Sequence, residues 1–308
     1  MDYKKIIKSY ETRARILRFL SFVPDKPMLK LQYYIKTGRQ LNLKNPQRFT
    51  EKLQWYKLYY KDPLMIRCVD KYDVREYVKS KGLEDILIPC YGVFDSVEEI
   101  EWDKLPNQFV IKDTLGGGGN AVMFVDDKSR ADFESLKELA STWTAIDNHV
   151  RDGGREWPYY SGKKHRIIIE EMLKQPDGDL ADYKFFCFSG RVMIFYIRTG
   201  YNRYHACGKM SFFTRERQWL KGVGMDYCAV SDIQQNLPNN ISDMIECAEK
   251  LSTGFPHARI DLYCVDSKIY FGEITFFNAS GYMKFDPDSF DIELGNMFPL
   301  SAEIKEEY

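Results

Sequence analysis

Apolar and polar positions change rhythm several times along the chain, and each rhythm predicts a different element. Over residues 50–59 the apolar side chains fall at 53, 55, 56, 58 and 59, the spacing of a helix packed along one side. Residues 64–80 predict one further helix, 131–150 another and 239–253 a third. Short apolar runs predict strands instead: 87–94, Phe109-Val110-Ile111-Lys112, 121–125 and 166–173. Residues 183–188 and 191–196, joined by Ser189-Gly190, read as a hairpin. Two more alternating segments, 258–263 and 270–275, flank Asp266-Ser267-Lys268, a turn signal, and predict a last hairpin. Residues 1–65 are helical and irregular by turns, punctuated by Pro24, Pro27, Gly38 and Pro46. Hairpins mixed with single helices argue for an α+β fold rather than a doubly wound sheet.

The last hairpin carries chemistry. With its turn centred on Ser267, Asp261 faces Glu273 and Arg259 faces Thr275. Side chains alternate between faces. One face then holds Arg259, Asp261, Glu273 and Thr275, and the other Ile260, Leu262, Cys264, Tyr270 and Ile274. Like charges directly opposite are destabilising, by about 3–4 kcal/mol at ~4–5 Å and an effective dielectric of ~20. A bound cation between the acids relieves this. So does neutralisation by Arg259, and so does a bulge that breaks the register.

Other segments carry weaker signals. Leu115-Gly116-Gly117-Gly118-Gly119-Asn120 follows a strand that ends in Lys112 and precedes another strand. A dinucleotide fingerprint needs a helix after its glycines, and no Gly-Lys-Ser/Thr is present. What remains is a glycine loop whose backbone N–H groups can approach an anion, beside a lysine; an exposed turn is the plain alternative. Asp182 and Lys184 share a strand face, suiting ribose hydroxyls and phosphates, or forming a surface ion pair. Glu170-Glu171-Met172-Leu173 ends a very apolar strand, where backbone groups can meet a purine edge or simply terminate the strand. The aromatic and arginine-rich stretches 155–160 and 199–205 suit a sugar-acid acceptor site, or an ordinary packed loop.

Composition narrows the class. A net charge of −1 over 308 residues argues against a nonspecific nucleic-acid binder, and this length predicts two or three packed subdomains. Seven scattered cysteines with no CxxC read as reduced thiols in the cytoplasm, and four histidines form no zinc-ligand cluster with them. No apolar run is long enough to span a bilayer. The basic amphipathic stretch from Lys4 to Leu20 could lie on an acidic membrane surface, with a domain-capping helix as the plainer reading.

Taken in order, Asp70-Lys71, Lys112 with its glycines, Ile169-Glu170-Glu171-Met172-Leu173, Asp182-Tyr183-Lys184, Arg259-Ile260-Asp261 and Glu273-Ile274-Thr275 resemble the ATP-grasp superfamily. The wording of 48–55, 70–76, 182–188 and 269–276 is closer still to its TupA-like branch, associated with teichuronopeptide and capsular polysaccharide gene clusters. The resemblance covers about residues 30–300. It implies an ATP-grasp fold of two α+β subdomains gripping ATP, with a helical N-terminal region over 1–65, a small subdomain over 66–173 and a C-terminal subdomain with a metal site over 174–308. It implies that Lys71 and Lys112 hold ATP phosphates and that Gly117, Gly118 and Gly119 close over them. Glu170, Glu171 and Leu173 would meet the adenine and Asp182 the ribose. Asp261 and Glu273 would bind Mg2+, with Arg259 stabilising the transferring phosphoryl group and Lys184 as a further cation. The family's usual third ligand, an Asn, is replaced here by Thr275, with Asn278 as a substitute. The large N-terminal substrate domain of peptide ligases is also missing, so the substrate or a partner must complete the site. The implied activity is ATP-dependent carboxylate–amine ligation through an acylphosphate, on a sugar carboxylate of a surface polysaccharide. A glycosyltransferase using Asp126-Asp127 or Asp286-Pro287-Asp288, and a non-catalytic ATP-binding adaptor, are the competing readings.

Overall fold

The computed structural model describes residues 10–117, 121–146, 150–151, 153–175, 178–200 and 208–300. Its N-terminal part is helical: α1 (Tyr10–Phe19), α2 (Asp25–Thr37), α3 (Phe49–Tyr59), α4 (Leu64–Cys68) and α5 (Val74–Ser80). The single helix expected over 64–80 is therefore two. Asp70 is the cause. Its carboxylate accepts the backbone N–H of Tyr72 at 2.9 Å and of Asp73 at 2.8 Å. A side chain that satisfies the following backbone donors favours a turn over a continuing helix. The break also positions Lys71, whose N–H donates to Thr114 O at 2.9 Å.

Four antiparallel strands, β1 (Cys90–Phe94), β2 (Phe109–Asp113), β3 (Val122–Val125) and β4 (Ile167–Glu170), form a sheet in the order β1-β4-β2-β3. Helix α6 (Phe133–Thr144) covers one face, where Phe109, Ile111, Ile167 and Ile169 pack with Ala140 and Trp143. Period two then sends Lys112 and Glu170 to the other face, where they pair at 2.8 Å.

A larger sheet follows. It is built from β5 (Asp182–Phe188), β6 (Arg191–Thr199), β7 (Lys209–Thr214), β8 (Trp219–Leu220), β10 (Ala229–Val230), β11 (His257–Val265) and β12 (Lys268–Thr275). The order is β10-β7-β6-β5-β11-β12, with β8 on β7. Outside it, β9 (Gly224–Met225) pairs with β13 (Phe285–Asp286). Helix α7 (Ile241–Ser252) covers one face of the larger sheet: Cys187 Sγ reaches Ala248 O at 3.7 Å, and Ile260, Leu262 and Ile274 join the same core. The opposite face is divided. At one end α3 seals it, with Phe49 packed edge-on against Phe186, Phe188 and His257, and α8 (Ser289–Met297) lies against α3. At the other end the face carries charge and faces the smaller sheet.

Candidate active site

The hairpin β11–β12 has the expected register at the acids and departs from it beyond them. Asp261 faces Glu273 and Arg259 faces Thr275. The turn, however, is not centred on Ser267. Val265 pairs with Lys268, leaving Asp266 and Ser267 as a two-residue turn at φ 50° and 64°, the left-handed pair of a tight hairpin. A bulge at Gly272 then restores the register, between the Asp261–Glu273 and Leu262–Phe271 pairs. A Cβ at position 272 would stand 2.9 Å from Asp261 O, so the bulge needs glycine. The bulge also corrects the face assignment. Ile269 and Phe271, not Tyr270, join Ile260, Leu262 and Ile274 in the core.

Arg259 fills the space between the acids. Its Nε donates to Asp261 Oδ1 and its Nη2 to Oδ2, both at 2.6 Å. Nη2 also reaches Glu273 Oε1 and Thr275 Oγ1, both at 3.0 Å. The Thr275 hydroxyl donates onward to Glu273 Oε1 at 3.1 Å. The cation between the opposed acids is thus a guanidinium of the same strand. From β5, which pairs with the other edge of β11, Lys184 donates to Asp261 Oδ2 and lies 2.6 Å from Asp182 Oδ2.

Burial and charge divide the acids. Asp261 is 1% exposed, and burial pushes its carboxyl up to about 6 against the pull of Arg259 and Lys184, leaving it an anion at neutral pH. Glu273 is walled in by the cleft, yet 43% of its side chain reaches solvent. Burial raises it too, but Arg259, Lys184 and Lys71 together overcome that and hold it at about 2. Burial works to lower the Lys184 ammonium, and Asp182 and Asp261 reverse the effect.

The smaller sheet contributes the opposite wall. Lys71 Nζ donates to Gly116 O. Burial lowers this ammonium, while Glu273 of the larger sheet and Asp113 of the smaller one act to raise it. Tyr263 makes the same connection: burial, then Asp182, Glu273, Asp261 and Glu170, drive its phenol well above the ordinary value. Carboxylates from both sheets therefore converge on one cleft. Glu170 is held by Lys112 at 2.8 Å and by Arg75 at 3.3 Å. The Glu171 N–H is engaged by Pro89 O at 2.9 Å, and Leu173 beyond it is half-buried. Gly116 is constrained, since a Cβ there would meet Ala121 Cβ at 2.3 Å, whereas Gly117 faces open space. Gly118 and Gly119 lie outside the described residues. Asn278 is 2% exposed, and neither of its amide atoms finds a hydrogen-bond partner.

Some participants are absent from the sequence reading. Tyr263 lies two residues past Asp261, so period two could have found it. Arg75 and Glu170 are 95 residues apart, and no local signal joins them. The Asp113–His165 pair, at 2.7–2.8 Å, braces the root of the glycine turn in the same way. One expectation is overturned. Arg155 is 1% exposed and donates to Leu20 O at 2.7 Å, Val23 O at 2.8 Å and Asp25 Oδ1 at 3.1 Å, so it clamps the backbone and lines no acceptor site. Residues 201–207, the core of the second proposed wall, lie outside the described residues. One acid of each pair in the glycosyltransferase reading is committed locally: Asp127 Oδ1 accepts from Ser129 N at 3.0 Å, and Arg39 and Arg48 hold Asp288.

A family model described as TupA-like ATPgrasp matches residues 51–299. The chain belongs to the TupA-like ATP-grasp family. Its fold is the ATP-grasp fold. No curated protein matches the sequence. Similar solved structures include the D-alanine–D-alanine ligase of Helicobacter pylori, at 15% identity and TM-score 0.45 over 82% of this chain and 70% of that one. The L-amino acid ligase of Bacillus licheniformis has 15% identity and TM-score 0.45 over 92% of this chain and 63% of that one. The ATP complex of the Bacillus anthracis D-alanine–D-alanine ligase has 16% identity and TM-score 0.40 over 68% of this chain. This TupA-like chain spans 54% of the length of that ligase.

Magnesium, which the ATP-grasp family implies, fits the residues present. Among the described residues no group of three or more His, Cys, Asp or Glu could hold a metal. Two opposed carboxylates remain, Asp261 and Glu273, the latter 43% exposed to the cleft. That is a small, hard, all-oxygen donor set of the kind magnesium takes when substrate phosphates complete its shell.

Proposed function

We propose that this protein is an ATP- and magnesium-dependent carboxylate–amine ligase, acting on a sugar carboxylate in the assembly of a capsular or cell-surface polysaccharide. The observation that carries the reading is the charged row on the open sheet face. Lys184, Asp261 and Glu273 are successive cross-strand neighbours, and Arg259 is bonded to both acids.

The chain's own residues support phosphoryl transfer by position and charge. Lys71, from the α4–α5 turn, and Lys112, from the smaller sheet, approach the cleft, where they would hold the phosphates under the glycine turn. Arg259 and Lys184 would meet the negative charge that develops as the γ-phosphoryl group moves. Asp182 and Glu170 would orient the ribose and adenine, with Glu171 and Leu173 offering backbone groups to the purine edge. Held by Asp261 and Glu273, with Asn278 as a further donor, magnesium would neutralise phosphate oxygens. A substrate carboxylate oxygen attacks the γ-phosphorus as the bond to ADP breaks. The amine nitrogen then attacks the acyl carbon, the acyl–oxygen bond breaks, phosphate departs and the nitrogen loses a proton. The products are an amide, ADP and phosphate.

The test is ADP release across a panel of sugar acids paired with amino acids and amino alcohols, with Glu273→Gln as control. Release that needs magnesium, a carboxylate and an amine supports the ligase. Release that needs the acid but not the amine reassigns it as a kinase. ATP binding with no turnover across the panel favours an adaptor.

A further inference from the structure

Helices α1 and α2 present a surface that the ATP cleft does not use. At their junction Phe19 is 76% exposed and Phe22 72%, with their rings in edge contact at 6.2 Å. Ile16 lies one turn before Phe19 and is 39% exposed. Helix α2 buries Met28, Leu29, Gln32 and Tyr33 and turns Leu31 and Tyr34, at 51% and 58% exposure, away from them. Large apolar side chains grouped in this way mark an interaction surface.

The exposure is held by the fold. Buried Arg155 ties down the carbonyls of Leu20 and Val23 together with Asp25, and Arg151 Nη1 adds a bond to Val23 O at 3.2 Å. Leu17 packs over Gly153, where a Cβ would stand 2.8 Å from it. The inner side of α1 is thus committed to the protein, and the two phenyl rings project from a braced turn.

Charge identifies the occupant. Residues 1–39 hold ten Lys and Arg against three Asp and Glu, a surplus of seven in a chain of net charge −1. Arg15 and Arg18 are exposed beside Phe19, and Lys26 and Lys30 beside the α2 face. A folded partner would have to match these cations one by one around a groove for the phenyl rings. A fluid anionic surface matches them in any arrangement. Among the described residues no helix is long and apolar enough to cross a membrane, so the geometry is that of lying on one.

We propose that this face docks on an anionic lipid bilayer, with Phe19 and Phe22 entering the headgroup region and the flanking Arg and Lys meeting lipid phosphates. The inference is independent of the ligase reading, because it concerns a different face of the molecule.

The experiment is flotation of the full chain, without nucleotide, with vesicles of phosphatidylglycerol and phosphatidylcholine in equal parts or of phosphatidylcholine alone. Binding to the anionic vesicles is expected to be about tenfold or more tighter than to the neutral ones and to weaken with salt. Phe19→Ala with Phe22→Ala should weaken it by about tenfold or more, and Arg15→Glu with Arg18→Glu by about tenfold or more. All four side chains are exposed, so unchanged melting by circular dichroism verifies the fold of each variant. Absence of binding to anionic vesicles, or full binding by the phenylalanine variant, overturns the proposal. So does a dimer in sedimentation velocity that the phenylalanine variant abolishes, which assigns the face to a second copy of the chain.

Discussion

Arg259 grips Asp261, two residues further along the same strand, through two hydrogen bonds of 2.6 Å. The same guanidinium reaches Glu273 across the hairpin at 3.0 Å. The arginine therefore stands where two facing carboxylates would otherwise repel. Arg259→Met keeps the bulk and removes the charge, leaving buried Asp261 without its main partner. The expected cost is about 3–5 kcal/mol of stability. Magnesium should restore part of it, because a divalent ion can take the place of the guanidinium. Thermal unfolding with and without magnesium checks this: the variant should gain clearly more from the ion than the wild type does.

Gly272 provides a separate test of the hairpin. A Cβ there would meet Asp261 O at 2.9 Å and Tyr263 Cε2 at 3.2 Å. Gly272→Ala should destabilise the protein by about 1–3 kcal/mol through overpacking. It should also shift Glu273 against Asp261, and a displacement of about 1 Å at reacting groups costs about a hundredfold in rate. ADP release measured at a temperature where the variant is still folded should fall by far more than the folded fraction does.

His257 gives the protein a pH dependence. Its ring is fully buried among Phe49, Phe186, Phe188 and Phe298, and its Nδ1 hydrogen bonds to Cys187 O at 3.0 Å. Burial holds the imidazole down at about 3. Below about pH 6.5 the unfolded chain takes up a proton that the folded chain refuses. The stabilisation from keeping this ring neutral is thus fully present above that pH. It is lost by up to about 1.4 kcal/mol per pH unit on the way down toward pH 3. Asp261 works in the opposite sense: its carboxyl is raised to about 6, so the folded state gains as the pH falls through that value. The difference between wild type and His257→Phe in urea unfolding isolates the histidine. The wild type should lose ground to the variant steadily as the pH drops below about 6.5.

The parts of this architecture that could be read in advance are those written in local alternation. Asp261 opposite Glu273 and Lys184 beside Asp182 both follow from period two on strands with one packed face. The acid register holds for a different reason than expected, since the two-residue turn and the bulge at Gly272 cancel. Local patterns hide other features. Strand β7 buries Met210, Ser211, Phe212 and Phe213 in succession, so it shows no alternation to detect. Helix α8 keeps a carboxylate, Asp291, inside, where it accepts the Thr50 N–H at 3.0 Å, and a buried acid blurs an amphipathic pattern. The helix expected over 64–80 breaks because Asp70 caps its own following turn. The meeting of Lys71, in the α4–α5 turn, with Glu273 of the larger sheet, and of Arg75, on α5, with Glu170 of the smaller one, depends on how α4 and α5 pack against the two sheets, which no segment of sequence specifies.

One cleft, walled by Lys71 of the α4–α5 turn and Lys112 of the smaller sheet on one side and by Lys184, Arg259, Asp261 and Glu273 of the larger sheet on the other, is proposed to bind ATP with magnesium. Isothermal titration calorimetry of ATP into the protein tests it most directly, with and without magnesium, for the wild type, Asp261→Asn and Glu273→Gln. Magnesium-dependent binding by the wild type is expected, and either substitution should weaken it by about tenfold or more, equivalent to at least about 1.4 kcal/mol. No heat of ATP binding by the wild type in the presence of magnesium, or equal binding by all three proteins, would contradict it.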